Sequence, residues 1–376
     1  MAEITKPVLI APDAFKHACT AMEAGLALQQ GIHRARPALA CQLFPLADGG
    51  EGTAEILAYH LHAEPRKALV HDALMRPLEV TWYFVEPEKL ALIDMAAASG
   101  IQLLSKAERN PMHTSTYGTG EVIKSAIEAG AEKILLGIGG SATNDAGMGM
   151  AAALGWKFQD AAGKIIPPKG AHLELVRKVI PPKNTPAMEV EVLCDVDNPL
   201  CGPDGAAFTY GAQKGASEAD VVFLDQGLQH FAGLLEEQFG HTLMDLPGAG
   251  AAGGLGAGAV AFLNGKLVSG AQKIMELTGF YKALDDCSLV ITGEGRFDGQ
   301  TKRGKLVYEV AKAASARSVP AVAFCGQVDA SPGDWQQMGL QQVRQITPEG
   351  MPLEKALRIT KALLEQAAFE YFSEKS

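Results

Sequence analysis

The sequence predicts an α/β protein in which a Rossmann-like, doubly wound domain is interrupted by a second, dissimilar α/β domain. Apolar strands alternate with amphipathic helices at both ends of the chain, whereas residues 66–95 form a strand meander without a long helix. A chain of 376 residues is also long for one hydrophobic core, which favours two domains. We therefore expect a discontinuous first domain of residues 1–65 plus 270–376, and an inserted domain of residues 66–269.

The N-terminal segment follows a strand, loop, helix order. Val8 to Ile10 is a buried-strand run, and helical spacing of apolar residues extends from Thr20 to Arg36. A second short strand at Gln42 to Pro45 is followed by the loop LADGGEGT and a helix from about Ala54 to His62. Open α/β sheets bind ligands at the loops that leave the carboxyl ends of their strands, so both loops are candidate ligand sites.

Further elements are predicted along the rest of the chain in the same way. In the middle of the chain we expect a helix at Glu121 to Gly130 and a strand at Ile134 to Leu136 that leads into a glycine loop. A surface excursion at Gln159 to Pro186 follows, and then a strand at Val190 to Cys194 and a long helix at Ala219 to Phe239. Towards the C-terminus we expect a strand at Leu289 to Thr292 and a helix at Lys305 to Ala314. Two strands follow at Val319 to Phe324 and Val343 to Ile346, and the last helix is expected at Pro352 to Tyr371.

The stretch Gly137 to Met150, GIGGSATNDAGMGM, has the composition of an anion-binding loop. Its glycines allow close approach of the backbone to a ligand. Its good N-cap residues are Ser141, Thr143, Asn144 and Asp145. A helix beginning among them would direct its unpaired N–H groups into the loop, where a phosphate binds well. A tight turn before a close-packed helix is the alternative interpretation, and Asp145 is left as an N-cap or supporting group.

Carboxylates recur on four glycine-rich or strand-terminal loops. They are Asp13 beside Lys16, Asp48 and Glu51 in DGGEGT, Asp195 and Asp197 before Asn198, and Glu294 and Asp298 around Arg296. A solvated surface pair is the alternative for Asp13 and Lys16. Magnesium takes oxygen ligands and shares them with substrate phosphates, so the recurrence predicts one site for an anion and a metal.

Two glycine motifs fit nucleotide signatures only in part. Gly248 to Gly253, GAGAAG, satisfies the dinucleotide pattern, but no strand precedes it and no acidic residue follows at the required distance. Gly299 to Lys305, GQTKRGK, fits a P-loop until Leu306, where Ser or Thr is required. A flexible or hinge-like phosphate loop, or a tight helix-packing segment, is the better interpretation of the first motif. In the second motif, Lys302, Arg303 and Lys305 remain candidate phosphate contacts.

Composition excludes several classes of protein. The formal net charge is −10, which argues against nucleic acid and against an anionic membrane surface as partners. The longest uncharged run, Leu246 to Gly265, is too rich in glycine and alanine to predict a membrane span. Six cysteines without a C-x-x-C pair fit free thiols in a reducing compartment, and no signal peptide is recognised, so we expect a cytoplasmic protein.

Taken together, the motifs resemble those of the bacterial glycerate kinase family that forms 2-phosphoglycerate. The resemblance rests on stretches in the family's order along the chain: APDAFK (11–16), ADGGEGT (47–53), DMAAASG (94–100), TSTYGTGE (114–121), GIGGSATNDAGMG (137–149), CDVDNPL (194–200), QKGAS (213–217), PGAGAAGGLGA (247–257) and ITGEGRFDGQT..GK (291–305). The resemblance implies two α/β domains, ATP as phosphoryl donor, Mg²⁺ as cofactor and D-glycerate as the small-molecule substrate.

Site roles follow from the resemblance and from general phosphoryl-transfer chemistry. Nucleotide phosphates are assigned to Gly139, Gly140, Ser141, Asn144 and Lys305. Substrate contacts are assigned to Asp48, Gly49, Gly50, Thr116 and Asn198, and the metal to Glu51, Glu294 and Asp298. Asp195 is the first choice for the base that accepts the hydroxyl proton, Asp13 is the second, and Lys16 and Arg296 would stabilise charge on the transferring group.

The chain departs from the family pattern at a few positions. It has Ala14 where the family has Ser, and Tyr117 where the family often has Arg, so any carboxylate recognition by that arginine must come from another residue here. Formation of 3-phosphoglycerate or phosphorylation of a related hydroxy acid is the nearest alternative function. An NAD(P)-dependent oxidoreductase and a non-catalytic nucleotide-binding protein are the alternatives of other classes, and the oligomeric state is left open.

Overall fold

The computed structural model describes residues 6–184, 188–299 and 305–374. Its strands are β1 Val8–Ile10, β2 Cys41–Leu43, β3 Glu64–His71, β4 Pro77–Val85, β5 Leu90–Asp94, β6 Lys133–Gly137, β7 Lys157–Gln159, β8 Lys178–Ile180, β9 Glu189–Leu193, β10 Lys266–Val268, β11 Leu289–Thr292, β12 Arg296–Phe297, β13 Ala321–Cys325, β14 Gln327–Val328 and β15 Gln342–Gln345. Its helices are α1 Ala21–Ala35, α2 Thr53–Leu61, α3 Ala96–Ser99, α4 Tyr117–Glu128, α5 Met148–Ala153, α6 Ala206–Tyr210, α7 Glu218–Phe239, α8 Ala251–Leu263, α9 Gly270–Leu277, α10 Phe280–Asp285, α11 Leu306–Ala316, α12 Pro332–Gln337, α13 Leu353–Arg358 and α14 Thr360–Glu374. Short 3₁₀ turns lie at Ile101–Leu103, Lys106–Glu108, Gly170–Leu175 and Ala212–Lys214.

The chain divides into two units. The first comprises Met1–Asp48 with Ala271–Ser376, and the second comprises Gly49–Gly270. The sequence placed the first change of domain after residue 65, whereas the units change after Asp48. Helix α2 accounts for the difference, because it packs against β4 and β5 of the second unit.

The first unit contains a five-stranded parallel sheet in the order β15-β13-β11-β1-β2. Its central strand β1 is three apolar residues, all buried, which form ladders with β11 on one side and β2 on the other. Ile10 lies opposite Leu43 and Ile291, so β1, β2 and β11 end at the same edge. The segments after these three strands carry four of the predicted carboxylates of this unit: Asp13, Asp48, Glu294 and Asp298.

Helices α1 and α14 pack together and cover one face of this sheet. Thr20 caps α1, since its side chain accepts from the Glu23 N–H and the Glu23 carboxylate accepts from the Thr20 N–H. The buried apolar residues of the two helices form one cluster with Val8 and Ile10. The parallel sheet confirms the predicted α/β class.

The second unit contains a six-stranded mixed sheet in the order β10-β9-β6-β5-β4-β3. Strands β3, β4 and β5 form an antiparallel meander, as the sequence predicts for residues 66–95, whereas β5, β6, β9 and β10 run parallel. Asp94 lies opposite Gly137, and Gly137 lies opposite Leu193, so three parallel strands end at the same edge. This register places the segments after β5, β6 and β9 side by side.

Two predicted helices differ from the structure. The single helix expected from Pro352 to Tyr371 is two helices, α13 and α14, separated at Ile359. The Thr360 hydroxyl donates to the Ala356 carbonyl, and such a side-chain bond competes with the helical ladder. Helix α4 begins at Tyr117, four residues before the predicted start. Among the described residues, no helix is both long enough and apolar enough to cross a membrane.

Candidate functional site

In the first unit, the loops after β1, β2 and β11 bring charged side chains together. The Lys16 Nζ lies 3.7 Å from the Asp48 Oδ2. Asp13 is 8% exposed, and its backbone N–H donates to the Gly293 carbonyl at 2.9 Å, which fixes the loop after β1 against the loop after β11. Three of the predicted site residues, Asp13, Lys16 and Asp48, therefore belong to one cluster.

The pKa of Asp13 is raised well above its ordinary value of 3.8. Burial is the largest cause, and the Asp48 and Glu294 carboxylates raise this pKa further, while Lys16 opposes them. The pKa of Lys16 is also raised, chiefly by Asp48. Asp13 is thus a carboxyl group that binds a proton more readily than an ordinary aspartate, a property that active-site bases share.

Lys305 lies between two predicted metal ligands. Its Nζ is 3.6 Å from the Glu294 Oε2 and 3.7 Å from the Asp298 Oδ1. Arg296, predicted to stabilise the transferring group, binds Asp329 through its exposed guanidinium at 2.8 and 2.7 Å, and its Nε also lies 3.7 Å from the Asp298 Oδ2. The remaining basic residues of this motif, Lys302 and Arg303, lie outside the described residues.

Among the described residues, the acidic side chains of the first unit form no closed metal site. No group of three or more His, Cys, Asp or Glu side chains within residues 6–184, 188–299 and 305–374 is arranged to hold a metal ion. The buried Asp13 lies in the negative field of Asp48 and Glu294, which raise its pKa. Magnesium commonly takes one or two carboxylates and completes its shell with water and phosphate oxygens. Glu51, the third predicted ligand, belongs to the second unit.

In the second unit, Asp94 at the end of β5 holds the glycine loop that begins with Gly49. Its carboxylate accepts from the Gly52 N–H at 3.0 Å and from the Ala54 N–H at 3.1 Å. A Cβ atom at Gly139 would lie 2.5 Å from the Gly50 Cα, so the two glycine loops are in backbone contact. The sequence analysis did not select Asp94, although it begins the stretch DMAAASG.

Burial raises the pKa of Asp94 to about 7, against an ordinary value of 3.8. The pKa of Asp94 is higher in the folded state than in the unfolded state. The contribution of Asp94 to the free energy of unfolding is therefore greatest below pH 4 and decreases as the pH rises towards 7. We expect this group to lower the free energy of unfolding by up to about 4 kcal/mol across that range. Urea unfolding at pH 5, 6, 7 and 8 should show a weaker decrease in Asp94→Asn than in wild type.

The matched control for this pH dependence is Glu88→Gln, which neutralises an exposed carboxylate in the same unit. The control should follow the wild-type dependence on pH. Equal dependence in wild type and Asp94→Asn would show that Asp94 ionises normally in the folded protein.

The Gly137 to Met150 loop differs from the prediction in where its helix begins. Helix α5 starts at Met148, after Gly147 with φ +71°, rather than among Ser141 to Asp145. The fully buried Asp145 carboxylate accepts from the N–H groups of Gly147 and Gly149 at 3.2 and 3.1 Å. The amides at the start of α5 are therefore already occupied. Gly147 is the N-cap residue, so Asp145 has the supporting role, one of the two left open for it.

Thr116 supports Asp145 in this role. Its N–H and hydroxyl both donate to Asp145, at 2.8 and 2.9 Å, and its hydroxyl accepts from the Met150 N–H. The residue has no exposed surface. We therefore reassign Thr116 from substrate contact to support of the loop.

The segment from Gly139 to Asn144 is exposed only at its beginning and buried from Ser141 onwards. Gly140 is exposed and has φ +75°, and Gly139 is half-buried. The N–H groups of Gly140, Ser141, Asn144 and Asp145 find no acceptor among the described residues. The buried Lys214 contacts the same segment, and the sequence analysis gave it no role although it lies in the stretch QKGAS.

GAGAAG packs against this loop and does not follow a strand. Gly253 has φ +69°, and its carbonyl accepts from the Ala146 N–H at 3.1 Å. A Cβ at Gly258 would lie 2.4 Å from the Ala146 carbonyl oxygen. The structure thus fits the helix-packing interpretation, and the context of a dinucleotide site is missing.

Asp195 and Asn198 follow β9. The Asp195 carboxylate accepts from the Ser269 hydroxyl at 3.0 Å and from the Gly270 N–H at 2.8 Å. The Asn198 amide donates to the Asp204 carbonyl and accepts from the Tyr210 hydroxyl. Both side chains hold neighbouring backbone or side chains in place.

The chain is similar to known proteins over almost its whole length. Residues 8–373 match the glycerate kinase family. A glycerate kinase of Halalkalibacterium halodurans is 42% identical over 364 residues, covering 96% of each chain, and glycerate 2-kinase of Escherichia coli is 39% identical over 354 residues, covering 93% of each. A crystal structure described as putative glycerate kinase 2 from Salmonella typhimurium superposes with a TM-score of 0.83 at 36% identity, covering 98% of each chain. The resemblance seen in the sequence is confirmed, and the chain belongs to the glycerate kinase family.

Proposed function

We propose that this protein transfers the γ-phosphoryl group of ATP to the 2-hydroxyl of D-glycerate, giving 2-phosphoglycerate and ADP. The carboxylate cluster of the first unit supports the proposal most directly, because it pairs a proton-binding carboxyl, Asp13, with the ammonium groups of Lys16 and Lys305. The identity to a relative named glycerate 2-kinase supports the position of the hydroxyl.

In this proposal Asp13 replaces Asp195 as the first choice of base. A base works best when its pKa lies near the working pH, and burial with two carboxylate neighbours moves Asp13 in that direction. Asp195 is instead an acceptor for Ser269 and Gly270, which orients it for a structural contact. Asp13 would take the proton of the substrate hydroxyl as the oxygen attacks the γ-phosphorus, and ADP would leave with the bridging oxygen.

The cations would stabilise charge that develops during transfer. Lys16, held beside Asp48, and Lys305, held between Glu294 and Asp298, each present an ammonium group next to the carboxylates. Asp48, Glu294 and Asp298 would hold Mg²⁺, which when bound neutralises phosphate charge and orients the oxygens. In the second unit, the Gly139 to Asn144 loop would receive phosphate oxygens on its unpaired N–H groups.

Further substrate contacts and the cellular location are also proposed. Gly49 and Gly50 lie on the loop held by Asp94 and stay candidate substrate contacts, as does Asn198 three residues after Asp195. Glu51, on the same loop, stays a candidate metal ligand. Six free cysteines favour a reducing compartment, so we propose the cytoplasm as the location.

The function is tested by mixing the protein with MgATP and D-glycerate, with enolase as the coupling enzyme. Enolase consumes 2-phosphoglycerate directly, so we expect ADP release and enolase signal at equal rates. ADP release without that signal would indicate 3-phosphoglycerate, and no ADP release would exclude the kinase. Absorbance change of NAD(P) with hydroxy acids would instead support the oxidoreductase.

A further inference from the structure

Lys214 is a buried amine that forms no salt bridge with a carboxylate of the described residues. It is 3% exposed, and its Nζ donates to the Thr143 carbonyl at 2.6 Å and to the Ser141 hydroxyl at 3.3 Å. Both acceptors are neutral, and the third ammonium donor finds no acceptor among the described residues. Burial makes the charged form of this amine costly, and a bound anion would offset that cost.

The loop that Lys214 contacts has further unused donors. The Asn144 side chain has no exposed surface, and neither its Nδ2 nor its Oδ1 has a hydrogen-bond partner in the described structure. The N–H groups of Gly140, Ser141, Asn144 and Asp145 also lack acceptors there. Unpaired polar groups of this kind are rare in buried positions and commonly mark the place of a ligand or an ordered water.

We infer that Lys214 and the Gly140 to Asp145 segment form an oxyanion subsite, in which the Lys214 ammonium supplies the charge and the loop N–H groups and Asn144 supply the hydrogen bonds. The inference rests on the proposed function for the identity of the anion, which is a nucleotide phosphate or the carboxylate of glycerate. The Ser141 hydroxyl, which also bonds to Thr143 Oγ1 at 3.0 Å, links the cation to the loop.

The protonation of Lys214 provides a specific signature. Burial lowers the pKa of Lys214 to about 7, and Asp145 is the charged group that opposes this shift. The Asp145 carboxylate itself accepts hydrogen bonds from Thr116, Gly147 and Gly149. Arg109 is another charged residue nearby, and its backbone lies against Gly215, the residue after Lys214. At pH 7.5 the amine is therefore largely neutral without a ligand, and an incoming anion that raises its pKa makes the protein take up a proton.

Calorimetric titration at pH 7.5, in two buffers of different ionisation enthalpy, measures affinity and proton uptake together. The probes are the magnesium complex of a non-hydrolysable ATP analogue, D-glycerate, and inorganic pyrophosphate. Loss of a charged hydrogen-bond donor in Lys214→Met should weaken one or more probes by about 10- to 100-fold and abolish the Lys214-dependent proton uptake. Weakening of the ATP analogue assigns the subsite to phosphate, and weakening of glycerate alone assigns it to the carboxylate.

Two further variants separate this role from a structural one. Lys214→Arg keeps the charge but stays protonated, so it should retain more affinity than Lys214→Met and show no Lys214-dependent proton uptake. Lys124→Met removes an exposed lysine on α4 and should behave as wild type. If Lys214→Met folds, unchanged affinities for all probes would overturn the inference. If Lys214→Met does not fold, proton uptake equal to that of wild type in Lys214→Arg would overturn it. Pyrophosphate binding that depends on Lys214 would keep the subsite even if the enolase assay excluded the kinase.

Discussion

Replacement of Asp13 by Asn is expected to lower kcat by about 10²- to 10⁴-fold, because the amide cannot accept the hydroxyl proton. The Asn oxygen can still accept from the Ala14 N–H, which Asp13 binds at 2.7 Å, so the loop after β1 should keep its conformation. Steady-state ADP release at saturating MgATP and D-glycerate measures kcat, and urea unfolding at pH 7.5 measures the free energy of unfolding.

The same variant is expected to be at least as stable as wild type. The pKa of Asp13 is raised in the folded state, so its ionisation lowers the free energy of unfolding as pH rises above the unfolded-state value. Asn removes this cost together with the repulsion from Asp48 and Glu294. The stability difference should favour the variant at pH 7.5 and diminish as pH falls towards 4. A variant that gains stability and loses turnover identifies a functional carboxylate more strongly than lost turnover alone.

Asp195→Asn is the matched comparison, since it removes a carboxylate at the end of another parallel strand. Its amide oxygen can still accept from the Ser269 hydroxyl and the Gly270 N–H, so we expect kcat within about tenfold of wild type. A greater loss of kcat in Asp195→Asn than in Asp13→Asn would restore Asp195 as the base. In wild type, kcat/KM should decrease on acidification at a pH above the ordinary aspartate pKa.

Local patterns in the sequence predicted those parts of the fold that local physics determines. The VLI run of β1 needs only burial on both sides, and the Thr20 to Glu23 capping box marks the start of α1 within its own four residues. The meander of residues 66–95 is visible from alternation and from the absence of helical spacing. These features were therefore accessible without tertiary information.

The start of α5 could not be predicted, because residues distant in sequence determine it. Asp145 resembles an N-cap, but it binds Thr116 as well as the amides beyond Gly147, and this moves the helix start to Met148. Ser141, Thr143 and Asn144 consequently do not cap α5, and Ser141 and Asn144 lie in the segment for which we propose the oxyanion subsite.

The importance of Asp94 and Lys214 also depends on tertiary contacts. Asp94 reaches the amides of Gly52 and Ala54 because α2, which follows this loop, packs against β5. Lys214 reaches Thr143 across 71 positions of sequence. The motifs DMAAASG and QKGAS were the available signals, and each pointed to a segment without indicating which side chain was buried in it.

Replacement of Gly253 by Ala is expected to lower the free energy of unfolding by about 2–5 kcal/mol. Left-handed φ of +69° costs an L-residue about 1–2 kcal/mol. In addition, the new Cβ would lie 2.0 Å from the Thr143 carbonyl oxygen and 2.6 Å from the Asn144 Cα, so backbone must move at a further cost of about 1–3 kcal/mol. Urea unfolding at pH 7.5 measures the sum.

Gly240→Ala isolates the conformational part of this cost. Gly240 lies in the same unit with φ +74°, and no atom lies within 4 Å of its added Cβ, so its loss should be limited to about 1–2 kcal/mol. Equal losses in the two variants would show that the Thr143 to Asn144 backbone yields freely to the methyl group. The methyl group at Gly253 would displace the Thr143 carbonyl, which is the carbonyl that Lys214 binds. A larger loss of stability at Gly253, together with weaker binding of the anion whose affinity depends on Lys214, would therefore show that helix α8 fixes the loop in its binding conformation.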